Sequence, residues 1–272
     1  MNLINYSLIK IIFMKEEKNK TIDTKKKCCV SDKDRAFYKK NGYLIIRNVL
    51  SEKECEEYIE EAHRVSKGTV QEPNLYRKSD KFLEMARDQR IMDYADSLLE
   101  WRMIPIGDIF FFAKSSEDGG EEGSSPHQDN SFQKAEWGAF VACGVYLDKA
   151  NSDNGSLIVY PGTHWLGDAK YKPVPNFKYG PNGEVLKANP IGNNCEIPLG
   201  YEEYQIDMNR GDIIIFHGHL IHKAPKNRSK NSKYRHVNYL KLIKNGKGFW
   251  PGWSERRVLI ERHDFNQEFK IV

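Results

Sequence analysis

The chain has 272 residues, of which 39% are hydrophobic, 12% aromatic and 29% charged, with a formal net charge of +4. This is enough apolar material for one large domain, and its near-balanced charge does not call for a nucleic-acid partner. Five cysteines (Cys28, Cys29, Cys55, Cys143 and Cys195) show neither zinc nor disulfide spacing, which fits a reducing, cytoplasmic setting.

Met1 to Met14 carries an apolar run split by Lys10, too short to span a bilayer and without a basic leader or a small-residue cleavage site. Met14 is a second candidate start. The lysine-rich stretch after it is poor in apolar groups, so residues 1–32 are expected to form a poorly ordered extension, and residues 33–272 a single domain. Ser31 and Asp32 are placed to cap a short helix that Asn41-Gly42 ends, and Tyr43 to Val49 reads as a strand. Ser51 with Glu54 forms a capping box for a helix over Glu52 to Val65. The apolar stripe Phe82, Leu83, Ala86, Ile91, Tyr94, Leu98 and Leu99 predicts one helical stretch from Ser79 to Leu99.

From Met103 the pattern turns to strands: Met103 to Ala113, Ala139 to Leu147, Ser156 to Tyr160, Tyr204 to Met208, Asp212 to Phe216 and Tyr234 to Ile243. Ser115 to Pro126 reads as a Gly/Ser-rich mobile loop, and Leu166 to Gly200 as a long Gly/Pro/Asn-rich insertion. Many short strands with turn signals predict a mainly β sandwich or jelly roll, with the early helices buttressing one sheet.

Charge is unevenly placed. No acidic residue falls between Asp212 and Glu255, where Lys223, Lys226, Arg228, Lys230, Lys233, Arg235, Lys241, Lys244 and Lys247 all lie. This reads either as a solvated basic face or as a rim that draws in small anions.

His127-Gln128-Asp129 is the motif with the most specific chemistry. In extended backbone, residues i and i+2 point to one side, so His127 and Asp129 can reach a common ion while Gln128 points elsewhere. A surface turn pairing the two would also account for the motif taken alone. His217, His219 and His222 compete to be a third ligand beyond the buried strand Asp212 to Phe216. His222 is preferred because Leu220 and Ile221 precede it as a second apolar element. Two histidines and a carboxylate can hold a divalent iron on one face and leave the other face open.

Together and in order, five segments resemble the phytanoyl-CoA dioxygenase-like family of Fe(II)/2-oxoglutarate oxygenases, over roughly residues 34 to 243. They are Tyr38 to Leu44, His127-Gln128-Asp129, Asn154-Gly155-Ser156-Leu157, Pro161-Gly162-Thr163-His164, and Gly211-Asp212 through Phe216-His217 to His222. The resemblance implies a double-stranded β-helix, the cupin-like jelly roll, with His127, Asp129 and His222 as catalytic metal ligands. It implies Fe(II) as metal, 2-oxoglutarate as co-substrate, O2, and ascorbate as an activator. Arg235 matches the family arginine that grips the far carboxylate of 2-oxoglutarate, and Lys114 a lysine that also contacts it. The activity implied is hydroxylation of a substrate C–H bond, releasing succinate and CO2; the basic segment favours an anionic substrate such as an acyl-CoA, an acyl group on a carrier, or a small acid or phosphonate, with an amino-acid-like or natural-product substrate as the alternative. Related halogenases carry a small residue at the position of Asp129, so the aspartate fits hydroxylation.

Two departures from the family stand out. Lys223-Ala224 follows His222 where a small residue and then serine are usual, and the separation from His222 to Arg235 is longer than usual, which leaves Arg228 and Lys233 as rivals for the anchoring role. Two further readings compete with catalysis of this type: a jelly-roll binding protein without turnover, and a cupin-like metalloenzyme that uses His217, His219 and His222 without 2-oxoglutarate. Trp137, Trp165, Trp250 and Trp253 are candidate pocket linings, although aromatic residues in a β protein more often fill the core.

Overall fold

The structure, a computed structural model, describes residues 21–23, 29–66, 71–115, 123–179, 185–252 and 257–264. Its first half runs β1 (Thr21–Asp23), α1 (Asp32–Asn41), β2 (Tyr43–Arg47), α2 (Glu52–Ser66), β3 (Gln71–Pro73), α3 (Asp80–Ala86), α4 (Gln89–Leu99), β4 (Met103–Ser115), β5 (Gly123–His127) and α5 (Asn130–Gln133). The second half is almost all strand: β6 (Phe140–Tyr146), β7 (Ile158–Val159), β8 (Tyr171–Tyr179), β9 (Val185–Cys195), β10 (Tyr204–Gln205), β11 (Ile213–His217), β12 (His222–Pro225) and β13 (Tyr234–Lys244).

A seven-stranded sheet in the order β1-β2-β11-β6-β13-β4-β3 faces a four-stranded sheet in the order β10-β7-β12-β5. Apart from the parallel β1–β2 pair, the ladders are antiparallel, as in a jelly roll. Its central strands are apolar on both faces because helices cover one face and the small sheet the other. Every residue of β6 and β11 is buried, and each buried Ile of β11 contributes about 1.5–3 kcal/mol. On the outer face Phe82 of α3 packs edge-on against Phe111 of β4, with ring centroids 5.9 Å apart. Gly144 of β6 lies where a Cβ would come within 2.8 Å of the Tyr239 ring, so its lack of a side chain makes room for that tyrosine between the sheets.

Several elements match the sequence expectation through their caps. Ser31 and Asp34 form a reciprocal capping box on α1, and Gly42 ends that helix at φ 83° with its N–H on the Tyr38 carbonyl. Ser51 and Glu54 exchange the same pair of bonds before α2. The stretch expected as one helix from Ser79 to Leu99 is two. Asp88 takes the Arg90 N–H at 2.9 Å and starts α4 afresh, a competing local bond that the apolar stripe does not reveal.

Two segments expected as irregular contain strands. The last part of the Ser115–Pro126 loop is β5, held by β12 with His127 opposite His222 and Ser124 opposite Ala224. Residues 116–122 lie outside the described residues. The Leu166–Gly200 insertion forms the β8–β9 hairpin, with Tyr171 paired to Cys195 and Tyr179 to Val185. In both, ladder pairing overrides a poor β-propensity. Within the segment set apart as an extension, Val30 is buried and Thr21–Asp23 pairs with β2. Past the span of the resemblance, Arg262 is buried against both oxygens of Asp96 at 2.9 Å, so the chain around it packs on the same body. No helix among the described residues is long and apolar enough to cross a membrane.

Candidate metal centre

Strands β5 and β12 place His127 and His222 directly across from one another. Asp129 follows two residues after His127, at the start of α5, and His127, Asp129 and His222 bring ligand atoms within 4.8 Å of one another. The Nε2 atoms of His127 and His222 stand 3.7 and 3.8 Å from Asp129 Oδ1. Their rings lie 4.3 Å apart between centroids. Each Nδ1 is 2.7–2.9 Å from a backbone carbonyl two residues earlier, that of Ser125 for His127 and of Leu220 for His222. A carbonyl can only accept, so each Nδ1 carries the proton and donates, and each Nε2 presents a lone pair toward Asp129. The donor set, two neutral imidazoles and a carboxylate on one side, fits a divalent transition metal such as iron.

The electrostatics favour that protonation state. Burial pulls the His222 pKa down to about 3, helped by the neighbouring His127. Burial alone would push the Asp129 pKa up, but the Lys241 ammonium beside it opposes this and the carboxyl is held below its usual range. The Lys241 Nζ forms a short ion pair with Asp129 Oδ2 and is itself buried.

Arg235 on β13 is 1% exposed, and its Nε and Nη1 have no hydrogen-bond partner among the described residues. A buried guanidinium with idle donors is costly unless an anion completes it, which is what an arginine waiting for a carboxylate requires. Its Cζ lies 5.9 Å from the Tyr146 ring. The Tyr146 and Tyr239 hydroxyls meet at 3.2 Å, Tyr239 packs edge-on to Phe216, and Phe216 to His222. An aromatic floor therefore runs from the arginine to the three clustered ligands. Of the rivals, Arg228 and Lys233 are exposed. Lys114 is the register partner of Arg235 on β4; its side chain lies outside the described residues.

Gln128 does point away from the cluster, into a network of its own. Its Nε2 donates to the carbonyls of Gly167 and His219 at 2.9 and 2.7 Å, and its Oε1 accepts from the Ala169 N–H and the Tyr171 hydroxyl at 2.9 and 2.7 Å. His217 and His219 sit apart from the triad. The His217 ring lies 5.0 Å from those of Trp137 and His164, and the His219 Nε2 lies 3.1 Å from Asn130 Nδ2 and from Asp168 Oδ1. Asn154 holds its own turn through Asn151 N and Lys149 O, and Gly155 at φ +75° sits where a Cβ would meet the Pro225 carbonyl at 2.3 Å. Thr163 ties Tyr160 to Ile221, one residue before His222. Trp137 and Trp165 stack half-exposed at 5.0 Å, and Trp250 lies between Lys134 and Arg257; Trp253 lies outside the described residues.

Lys241 is the residue that reading the sequence for motifs overlooks. It counted only as one of nine cations in the acid-free segment. The alternation that turns Arg235 and Tyr239 inward reaches Lys241 two residues on, and that signal was available.

Fold and site together define a jelly-roll protein with a two-histidine, one-carboxylate cluster between its sheets. The model of the phytanoyl-CoA dioxygenase (PhyH) family matches residues 38–237, and the chain belongs to that family. It is 23% identical over 235 residues to the peroxisomal phytanoyl-CoA dioxygenase of Rattus norvegicus, covering 74% of this chain and 65% of that protein, so the chain spans less than two thirds of that relative's length. A probable phytanoyl-CoA dioxygenase of Caenorhabditis elegans is 26% identical over 239 residues, covering 76% of this chain and 74% of that one. Among solved structures, the epimerase SnoN in complex with Fe3+, α-ketoglutarate and nogalamycin RO superposes with a TM-score of 0.63 at 19% identity, covering 81% of this chain and 86% of that one.

Proposed function

We propose that this chain is an Fe(II)/2-oxoglutarate-dependent dioxygenase that hydroxylates a C–H bond of a small anionic organic substrate. His127, Asp129 and His222 hold the iron, and Arg235 grips the distal carboxylate of 2-oxoglutarate, with Lys114 beside it in register. The observation that carries this reading is Arg235, a buried guanidinium with two nitrogens unpartnered among the described residues and joined by an aromatic floor to a cluster suited to a metal. A metal site alone would also suit a cupin without a co-substrate; a buried arginine whose Nε and Nη1 meet no acceptor among the described residues favours the oxygenase. The family match and the solved structure holding iron and α-ketoglutarate on the same fold support it.

Bound iron supplies the redox chemistry that couples 2-oxoglutarate, O2 and a substrate C–H bond to succinate, CO2 and an alcohol. The chain's own residues do the rest. The Nδ1–H donations to Ser125 and Leu220 lock both imidazoles with Nε2 toward the ion. Arg235 offers a planar, always-charged fork that sets the direction of the co-substrate. Phe216, Tyr146 and Tyr239 keep water from the space between them. Exposed Arg228, Lys230 and Lys233 in the acid-free segment favour an anionic substrate, of which an acyl-CoA is one kind. A reducing compartment such as the cytoplasm suits the free Cys29, Cys55, Cys143 and Cys195, while the name of the rat relative places that protein in the peroxisome.

The test is succinate formation from 2-oxoglutarate with Fe(II) and ascorbate, first alone and then with a panel of acyl-CoA and other anionic metabolites. A substrate-stimulated rate with a product gaining one oxygen is expected. Absence of any succinate from the iron-loaded chain would overturn the reading.

A further inference from the structure

Asp129 is divided between two partners. Its Oδ1 faces both imidazoles at 3.7 and 3.8 Å, while its Oδ2 is held by the Lys241 ammonium. Lys241 is 7% exposed, and its Nζ lies 5.9 Å from the Phe140 ring. A lysine so placed loses its hydration, and the Asp129 carboxylate is the anion that compensates it.

We propose that Lys241 is a positioning residue that restricts Asp129 to one-oxygen ligation and so keeps a coordination position open for O2. The inference rests on the iron and 2-oxoglutarate reading above. An octahedral ion has room for three protein atoms, two from a bidentate 2-oxoacid and one from O2, with none to spare. Carboxylates readily bind a cation through both oxygens. Were Asp129 to do so, its second oxygen would take the position O2 needs.

The backbone does not prevent this. Asp129 stands at the first turn of α5, where its carbonyl accepts from Phe132 N at 3.1 Å, and its carboxylate turns on two side-chain torsions. Among the described contacts of Oδ2, the one that holds it away from the imidazoles is Lys241. The lysine comes from β13, whose ladder with β6 pairs Lys241 to Ala142 and Tyr239 to Gly144 in unbroken register. The strand that carries the co-substrate arginine thus also carries the group that sets how the carboxylate binds.

The experiment compares wild type with Lys241→Met, which removes the donor, and Lys241→Gln, which keeps an N–H donor without the charge. Each full-length protein is loaded with Fe(II) and 2-oxoglutarate, and nitric oxide serves as the probe of the O2 position, read by electron paramagnetic resonance. Lys241→Met is expected to keep its iron and to bind nitric oxide about tenfold more weakly or worse, the usual scale for losing a partner of a metal ligand. Lys241→Gln is expected to restore much of the signal, which a loss of buried charge alone would not allow. Wild-type-like nitric oxide binding by a folded, iron-loaded Lys241→Met overturns the proposal. If that variant does not fold, crystals of the wild type soaked in Mn(II) decide: Asp129 on the metal through one oxygen, with Oδ2 on Lys241, supports it, and both oxygens on the metal overturn it. Failure of the wild type to bind metal or 2-oxoglutarate would show itself in the controls and would remove the underlying reading as well.

Discussion

Strand β13 separates two clusters with nearly the same inventory. Between the sheets are His127, His222 and Asp129; on the helix-covered face are His63, His236 and Asp148. In the outer cluster the polar atoms satisfy one another. His236 Nδ1 donates to Asp148 Oδ2 at 2.5 Å, and the Nε2 atoms of His236 and His63 share a hydrogen bond at 3.1 Å. In the inner cluster the facing atoms stand at 3.7 and 3.8 Å, beyond hydrogen-bonding range, because both Nδ1–H groups are committed to backbone carbonyls. The difference teaches that composition does not make a candidate metal site. Orientation does: lone pairs must converge at a distance too long for the ligands to bond each other.

The strongest way to break the comparison is Asp129→Ala, which should abolish both stoichiometric metal binding, read by calorimetry, and 2-oxoglutarate turnover. Retention of full turnover would place the metal elsewhere. Arg235→Met comes next. Removing one partner of a buried charge pair costs about 2–5 kcal/mol, so the 2-oxoglutarate KM should rise by about 100-fold while metal affinity holds.

A third histidine group sharpens the contrast through pH. Burial pulls the His217 pKa down to about 2 and that of His164 to about 4, against an ordinary 6.5. The unfolded chain takes up these protons below pH 6.5, whereas the folded chain resists until the lower values. Their stabilisation is therefore complete above pH 6.5 and is lost as the pH falls, toward about 4 for His164 and toward about 2 for His217, by up to about 1.4 kcal/mol per pH unit for each group. His217→Asn keeps an acceptor for the His219 N–H, which lies 3.1 Å from His217 Nδ1. It should flatten the acid limb of a denaturant-unfolding series by about one such group; an unchanged limb would show that His217 titrates normally. The smallest effect belongs to the outer cluster. His63→Gln should cost about 1 kcal/mol of stability and leave metal affinity within about twofold. A larger loss of metal would mean that the two faces of β13 are coupled.

Much of this was legible in the sequence, for identifiable reasons. Turn residues and short apolar runs expose the central strands of the large sheet, because β6 and Ile213 to Phe216 of β11 carry no charged or amide side chain. The spacing of His127 and Asp129 marks both as candidate ligands, but they meet by a different route from the one expected: β5 ends at His127 and Asp129 is already helical at the start of α5, so a turn rather than extended backbone brings the two together. The β5 strand was hidden because Gly-Ser-Ser-Pro becomes a strand only through β12, about a hundred residues on, and the β8–β9 hairpin because a Pro/Asn-rich run lacks strand propensity and is held by pairing with itself. Lys241 was missed for a different reason: it and Arg235 are the buried cations among the nine, and only the alternation of β13, not a count of charges, separates them from the rest.

Gln128 has a mechanical consequence. It is wedged between His127 and Asp129 in the chain, and its amide is saturated by Gly167, His219, Ala169 and Tyr171. The peptide that presents two of the three candidate ligands is therefore riveted to the root of the β8–β9 hairpin, which begins at Tyr171. A push on that hairpin acts on a lever whose fulcrum is one amide away from the candidate metal centre.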